Sequence, residues 1–150
     1  MNFEQQINND IKTAMRAKDK DTLRSLRAIK SGILLAKTSA DGGDELSEAA
    51  KIKMLAKMVK QRKDAAAIFE TQNRADLAEK EIIEANIIQK YLPEQLDETA
   101  IKAKVAEIMA QTGASSMRDM GKVMGMANKA MAGKAEGKLI ASIVKQMLQS

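Results

Sequence analysis

Apolar residues recur at every third or fourth position almost from the first residue, the spacing that stacks side chains along one face of an α-helix. Phe3, Ile7, Ile11 and Ala14 or Met15 form the first such face. Asp19 and Asp21 can cap a second start, after which Leu23, Leu26, Ile29 and Ile33 carry the pattern to about Lys37. Paired glycines and carboxylates in Ser39-Ala40-Asp41-Gly42-Gly43-Asp44 predict a mobile loop. From a Ser47 cap a long third helix runs without a breaker to about Gln72, with Ile52, Leu55, Val59, Ala66 and Phe69 on one seam. Asn73-Arg74 makes a turn, and a fourth helix from Asp76 carries Leu77, Ile82, Ile83, Ile87, Ile88 and Tyr91 up to the sole proline, Pro93.

Beyond Pro93 the helices shorten and glycine punctuates them. Ile101, Val105 and Ile108 mark a fifth helix, stopped by Gly113 as a left-handed cap. Ser116 to Asp119 fits a capping box, and Met117, Met120, Met124, Ala127 and Met131 form a stripe that reads as core or, alternatively, as an adaptable groove for a partner helix. Gly121 and Gly125, four apart, predict close internal packing on the same helix. A break at Gly133 to Gly137 precedes a last amphipathic helix built on Leu139, Ile140, Ile143, Val144, Met147 and Leu148. The reading is an all-α protein: a bundle of about four helices over residues 1–92, then a small three-helix bundle over 93–150.

Composition narrows the chemistry. The 150 residues include no cysteine and no histidine, so thiolate nucleophiles, the commonest general base and the commonest transition-metal ligands are all missing. No catalytic residue, metal or cofactor is expected. No apolar run approaches the length needed to span a bilayer and the N-terminus has no secretory pattern, so no membrane partner and a cytoplasmic location are expected. A formal net charge of +5 favours an anionic partner, while 2% aromatic content leaves little for stacking on unpaired bases, so any RNA contact should be to backbone or shape.

The densest positive run is Lys51, Lys53, Lys57, Lys60, Arg62 and Lys63, in which Lys53, Lys57 and Lys60 share one helical face. A phosphate backbone could lie along it; an ordinary solvated face is the competing reading. Lys20, Arg24 and Arg27 repeat the spacing on the second helix, and nucleic-acid binding gains if the two strips share a surface. Lys122, Lys134 and Lys138 offer a further patch, the last two around a glycine-rich helix start that suits an anion or is simply a turn. Arg62 falls on the apolar seam with Leu55, Val59 and Phe69, and a buried arginine demands a carboxylate. Glu81 and Glu84 are the candidates, with Arg62 or Arg74 as partner. Such a network is structural, because carboxylates held ionised by arginine make poor general acids.

Several strings, taken in order, carry a resemblance. They are Leu23-Arg24-Ser25-Leu26-Arg27-Ala28-Ile29-Lys30-Ser31, Lys60-Gln61-Arg62-Lys63-Asp64, Arg74-Ala75-Asp76-Leu77-Ala78-Glu79-Lys80-Glu81-Ile82-Ile83-Glu84 and Tyr91-Leu92-Pro93-Glu94-Gln95-Leu96. Gly113-Ala114-Ser115-Ser116, leading into Asp119-Met120-Gly121-Lys122-Val123-Met124, and Gly133-Lys134-Ala135-Glu136-Gly137-Lys138-Leu139 complete the set. Together they resemble the YqeY family, whose domain is similar to the C-terminal tail of the B subunit of the tRNA-dependent glutamine amidotransferase. Glu136 and Lys134 depart mildly from that pattern, keeping the charge of the usual Asp and Arg. The resemblance implies two helical pieces and a noncatalytic tRNA- or RNA-associated role, with amidotransferase or aminoacylation-related proteins as partners. It implies kinship, not chemistry, with the enzyme. A protein-interaction module working through the methionine-rich bundle, or an accessory part of a carbon–nitrogen ligase assembly using glutamine, stand as alternatives.

Overall fold

A computed structural model describes residues 2–38 and 46–149. Among the described residues there are seven α-helices, one short 3-10 helix and no strand. The helices are α1 (Phe3–Ala17), α2 (Lys20–Thr38), α3 (Glu48–Thr71), α4 (Ala75–Gln89), α5 (Glu98–Thr112), α6 (Met120–Ala130) and α7 (Gly137–Gln149). The glycine-rich loop expected at 39–44 lies outside the described residues. The chain divides into two compact units, Met1–Leu92 and Pro93–Ser150.

Helix starts follow local side-chain chemistry. Asn2 accepts from the Gln5 amide while the Gln5 side chain accepts from the Asn2 amide, a reciprocal box that opens α1. Asp19 accepts from both the amide and the hydroxyl of Thr22, which holds its carboxyl below the usual aspartate range and opens α2. Ser47 and Asp97 cap α3 and α5 in the same manner. Gly113 ends α5 at φ +69°, where a side chain would be strained.

In the first unit α1 packs on α2, α2 on α4, and α3 on α4. Ile7, Leu26, Ile29, Ile33, Leu55 and Ile88 are almost wholly buried between them. One end is closed by polar and aromatic contacts. The Phe3 ring meets the edge of Tyr91, Lys51 lies 4.9 Å over Phe3, and the Tyr91 hydroxyl donates to Asp10 at 2.7 Å. Burial, then the Asp10 carboxylate, push the Tyr91 phenol well above its usual range. Lys37 pairs with Glu4, joining α2 to α1.

The second unit surrounds Ile101, Val105, Val123, Ile140, Val144 and Leu148. Its leading segment is fixed by the glycine-rich turn: Gln95 donates to the Gly133 carbonyl at 2.6 Å and the Leu96 amide to the Lys134 carbonyl at 2.8 Å. The methionine stripe is mostly core. Met131 is buried and Met120 and Met124 pack against the cluster, so the partner-groove reading loses most of its surface. Met117 leaves the stripe because the Ser116 box starts a 3-10 turn over Met117–Asp119, which leaves its side chain 40% exposed. Gly121 and Gly125 are corrected too. A Cβ at either would meet open space, so neither serves close packing within the unit.

Candidate functional site

The most organised polar feature of the first unit is a carboxylate held between two arginines from different helices. Glu84, on α4, accepts from Arg24 Nε of α2 at 2.5 Å through one oxygen, and its other oxygen lies 3.4 Å from Arg62 Nε of α3. Arg24 also donates to Asp21 at 2.7 Å. Hydrogen bonds to Glu84 and then to Asp21 raise the Arg24 pKa further, so the guanidinium stays charged. Arg62 Nη1 donates to the Met58 carbonyl at 3.2 Å, whereas its buried Nε has Coulombic attraction to Glu84 without the geometry of a hydrogen bond. Glu84 is 13% exposed, so this is an interior ion pair that fixes α2, α3 and α4 in register.

Glu81 is half-buried and makes no ion pair among the described residues. Arg74 is taken by Asp76, two residues on, at 3.1 Å on the surface. The nearer, solvated partner wins because it is held by the same turn. That pairing lowers the Asp76 pKa and raises that of Arg74.

The lysine row of α3 lies on the other side of that helix. At about 100° per residue, Lys53, Lys57 and Lys60 sit roughly 160–220° around the axis from the inward Arg62. All three are exposed. Lys60 pairs with Asp64 at 2.7 Å, while Lys53 and Lys57 have no carboxylate partner among the described residues. Lys51, from the same run, is turned inward over Phe3 and reaches Glu48 at 3.3 Å. On α2, Arg24 is drawn into the network, leaving Lys20 and Arg27 exposed. Lys122, Lys134 and Lys138 are exposed on α6, the following turn and the first turn of α7.

Among the described residues no cluster of three or more acidic side chains could hold a metal ion, and no helix is long and apolar enough to cross a membrane. An all-helical protein of two units, locked in the first by a carboxylate between two arginines, is the class that the fold and site define. The chain belongs to the YqeY family: the family model described as Yqey-like protein matches residues 4–148. Among curated proteins it is similar to the Altered inheritance of mitochondria protein 41, mitochondrial, of Lachancea thermotolerans, with 36% identity over 107 residues. That match covers 70% of this chain and 57% of the relative. The protein of the same name from Clavispora lusitaniae is 41% identical over 109 residues, covering 71% of this chain and 62% of its own length. The chain thus matches less than two thirds of either relative. Neither name is that of an enzyme. The cytoplasmic location expected from the sequence is overturned by these relatives, which are named as mitochondrial proteins.

Proposed function

We propose that the chain is a noncatalytic helical module that associates with tRNA or another structured RNA, auxiliary to tRNA-dependent amidation or aminoacylation. The observation that carries this reading is the exposed lysine row on the outer face of α3, with Lys53 and Lys57 unpaired among the described residues. Two unpaired cations one helical turn apart, on a chain of net charge +5, suit neighbouring phosphates better than a carboxylate-balanced solvated face does. Resemblance to the amidotransferase tail supplies tRNA as the polyanion and that enzyme's assemblies as protein partners. Arg27 and the lysines at 122, 134 and 138 are secondary contacts; Arg24, held by two carboxylates, contributes little.

Fluorescence anisotropy with labelled tRNA over a salt series tests the reading. The Lys53→Ala/Lys57→Ala/Lys60→Ala variant should bind more weakly and lose about 2 from the slope of log K against log salt, because Lys60 is already shared with Asp64. Equal affinity and slope in wild type and variant remove the assignment.

A further inference from the structure

The buried apolar side chains of the first unit stop part-way along the α3–α4 hairpin. On α3 the core cluster ends at Val59, and on α4 it resumes only at Ala85. No described residue from 60 to 84 belongs to that cluster or packs against it as a half-buried hydrophobic. Within that stretch only Ala66 and Ala78 are buried. Alanine methyls let two helices approach but bury little apolar surface. Of the larger side chains, Phe69, Leu77 and Ile83 are only half-buried, and Ile68 is 56% and Ile82 39% exposed.

Tertiary support ends at the same level. α1 meets the inner end of the hairpin, where Lys51 lies over Phe3, and α2 meets α4 where Arg24 reaches Glu84. Glu84 thus stands at the boundary between the part of the hairpin that belongs to the core cluster and the part that, among the described residues, lies outside it. Helical segments of this length are marginal in water without tertiary packing.

We propose that residues 63–83 form an arm that opens independently of the core, with Glu84 and its two arginines as the latch at its base. Opening parts the alanine seam while the inner turns of α3, packed through Leu55 and Val59, stay folded. Lys53 and Lys57 sit on those inner turns and keep their place while the arm moves.

Native-state hydrogen exchange on the full chain reads this directly. Amides of residues 66–71 and 78–83 should exchange at least about a hundredfold faster than those of 55–59 and 26–33, through an opening whose energy is below that of global unfolding. Ala78→Gly should speed exchange of the arm about fivefold, the cost of glycine against alanine in a helix, and lower the melting temperature by about 4 °C while the arm remains the faster-exchanging part. Protection of equal height along the whole of α3, or an Ala78→Gly variant whose arm amides exchange no faster than those of wild type, would overturn the proposal.

Discussion

Replacing Glu84 by Gln removes the charge that two arginines share while keeping the side chain's shape. Truncating one member of a fully buried pair costs about 3–5 kcal/mol, because the remaining charge loses its counter-ion. Here the site is partly wet, with Glu84 13%, Arg62 18% and Arg24 46% exposed. Arg24 retains Asp21, and glutamine still offers one oxygen to accept a hydrogen bond. Most of the loss therefore falls on Arg62, whose cost is about 2 kcal/mol once solvent screening at the Arg24 side is discounted. For a chain of this size each kcal/mol moves the melting temperature by about 4 °C, so Glu84→Gln should melt about 8 °C lower by far-ultraviolet circular dichroism. The double variant Arg62→Met/Glu84→Leu separates charge from packing. It leaves no buried ion and should recover at least half of the loss. A Glu84→Gln melting temperature within about 1 °C of wild type, the range of an inert surface change, would refute the reasoning.

Two further outcomes follow from the geometry. The Tyr91 phenol is raised above the ordinary tyrosine range by burial and by Asp10. A raised folded pKa gives stability that is complete below the unfolded value and lost as pH rises above it. Melting temperatures from pH 8 to 11 should therefore fall more steeply for wild type than for Tyr91→Phe, and parallel curves would exclude the effect. Gly121→Ala and Gly125→Ala place a methyl in open space within a helix, so each should stabilise the chain by about 0.5–1 kcal/mol in denaturant titrations. Destabilisation by either would mean that the α6 face is packed against something.

The all-helical class was legible because apolar spacing of three and four runs almost without interruption from Phe3 to Leu148. Helix ends with a single dominant cap, Ser47 and Gly113, could be read directly. Asn2 was missed because its partner is a glutamine side chain that reaches backward, a signal visible as Asn-x-x-Gln but easily lost at a terminus. Arg62 could be suspected of burial from its place on the seam, but which arginine reaches Glu84 depends on how α2 crosses α4. No periodicity encodes that crossing. Arg24 accordingly looked like part of a basic strip, with no sign that it is shared between Glu84 and Asp21. The role of the Gly133–Lys134 carbonyls was equally hidden, since it rests on Gln95 and Leu96 nearly forty residues earlier. Location misled for a different reason, because the relatives' mitochondrial naming corresponds to nothing in the helical pattern.

Ultraviolet crosslinking in cells expressing the full chain, followed by sequencing of bound RNA and mass spectrometry of the crosslinked peptides, tests the RNA assignment most directly. Enrichment of tRNA or another folded RNA, with crosslinks on α3 peptides containing Lys53 and Lys57, is the predicted result. RNA recovered no better than from the Lys53→Ala/Lys57→Ala/Lys60→Ala variant, or crosslinks that avoid α3, would contradict it.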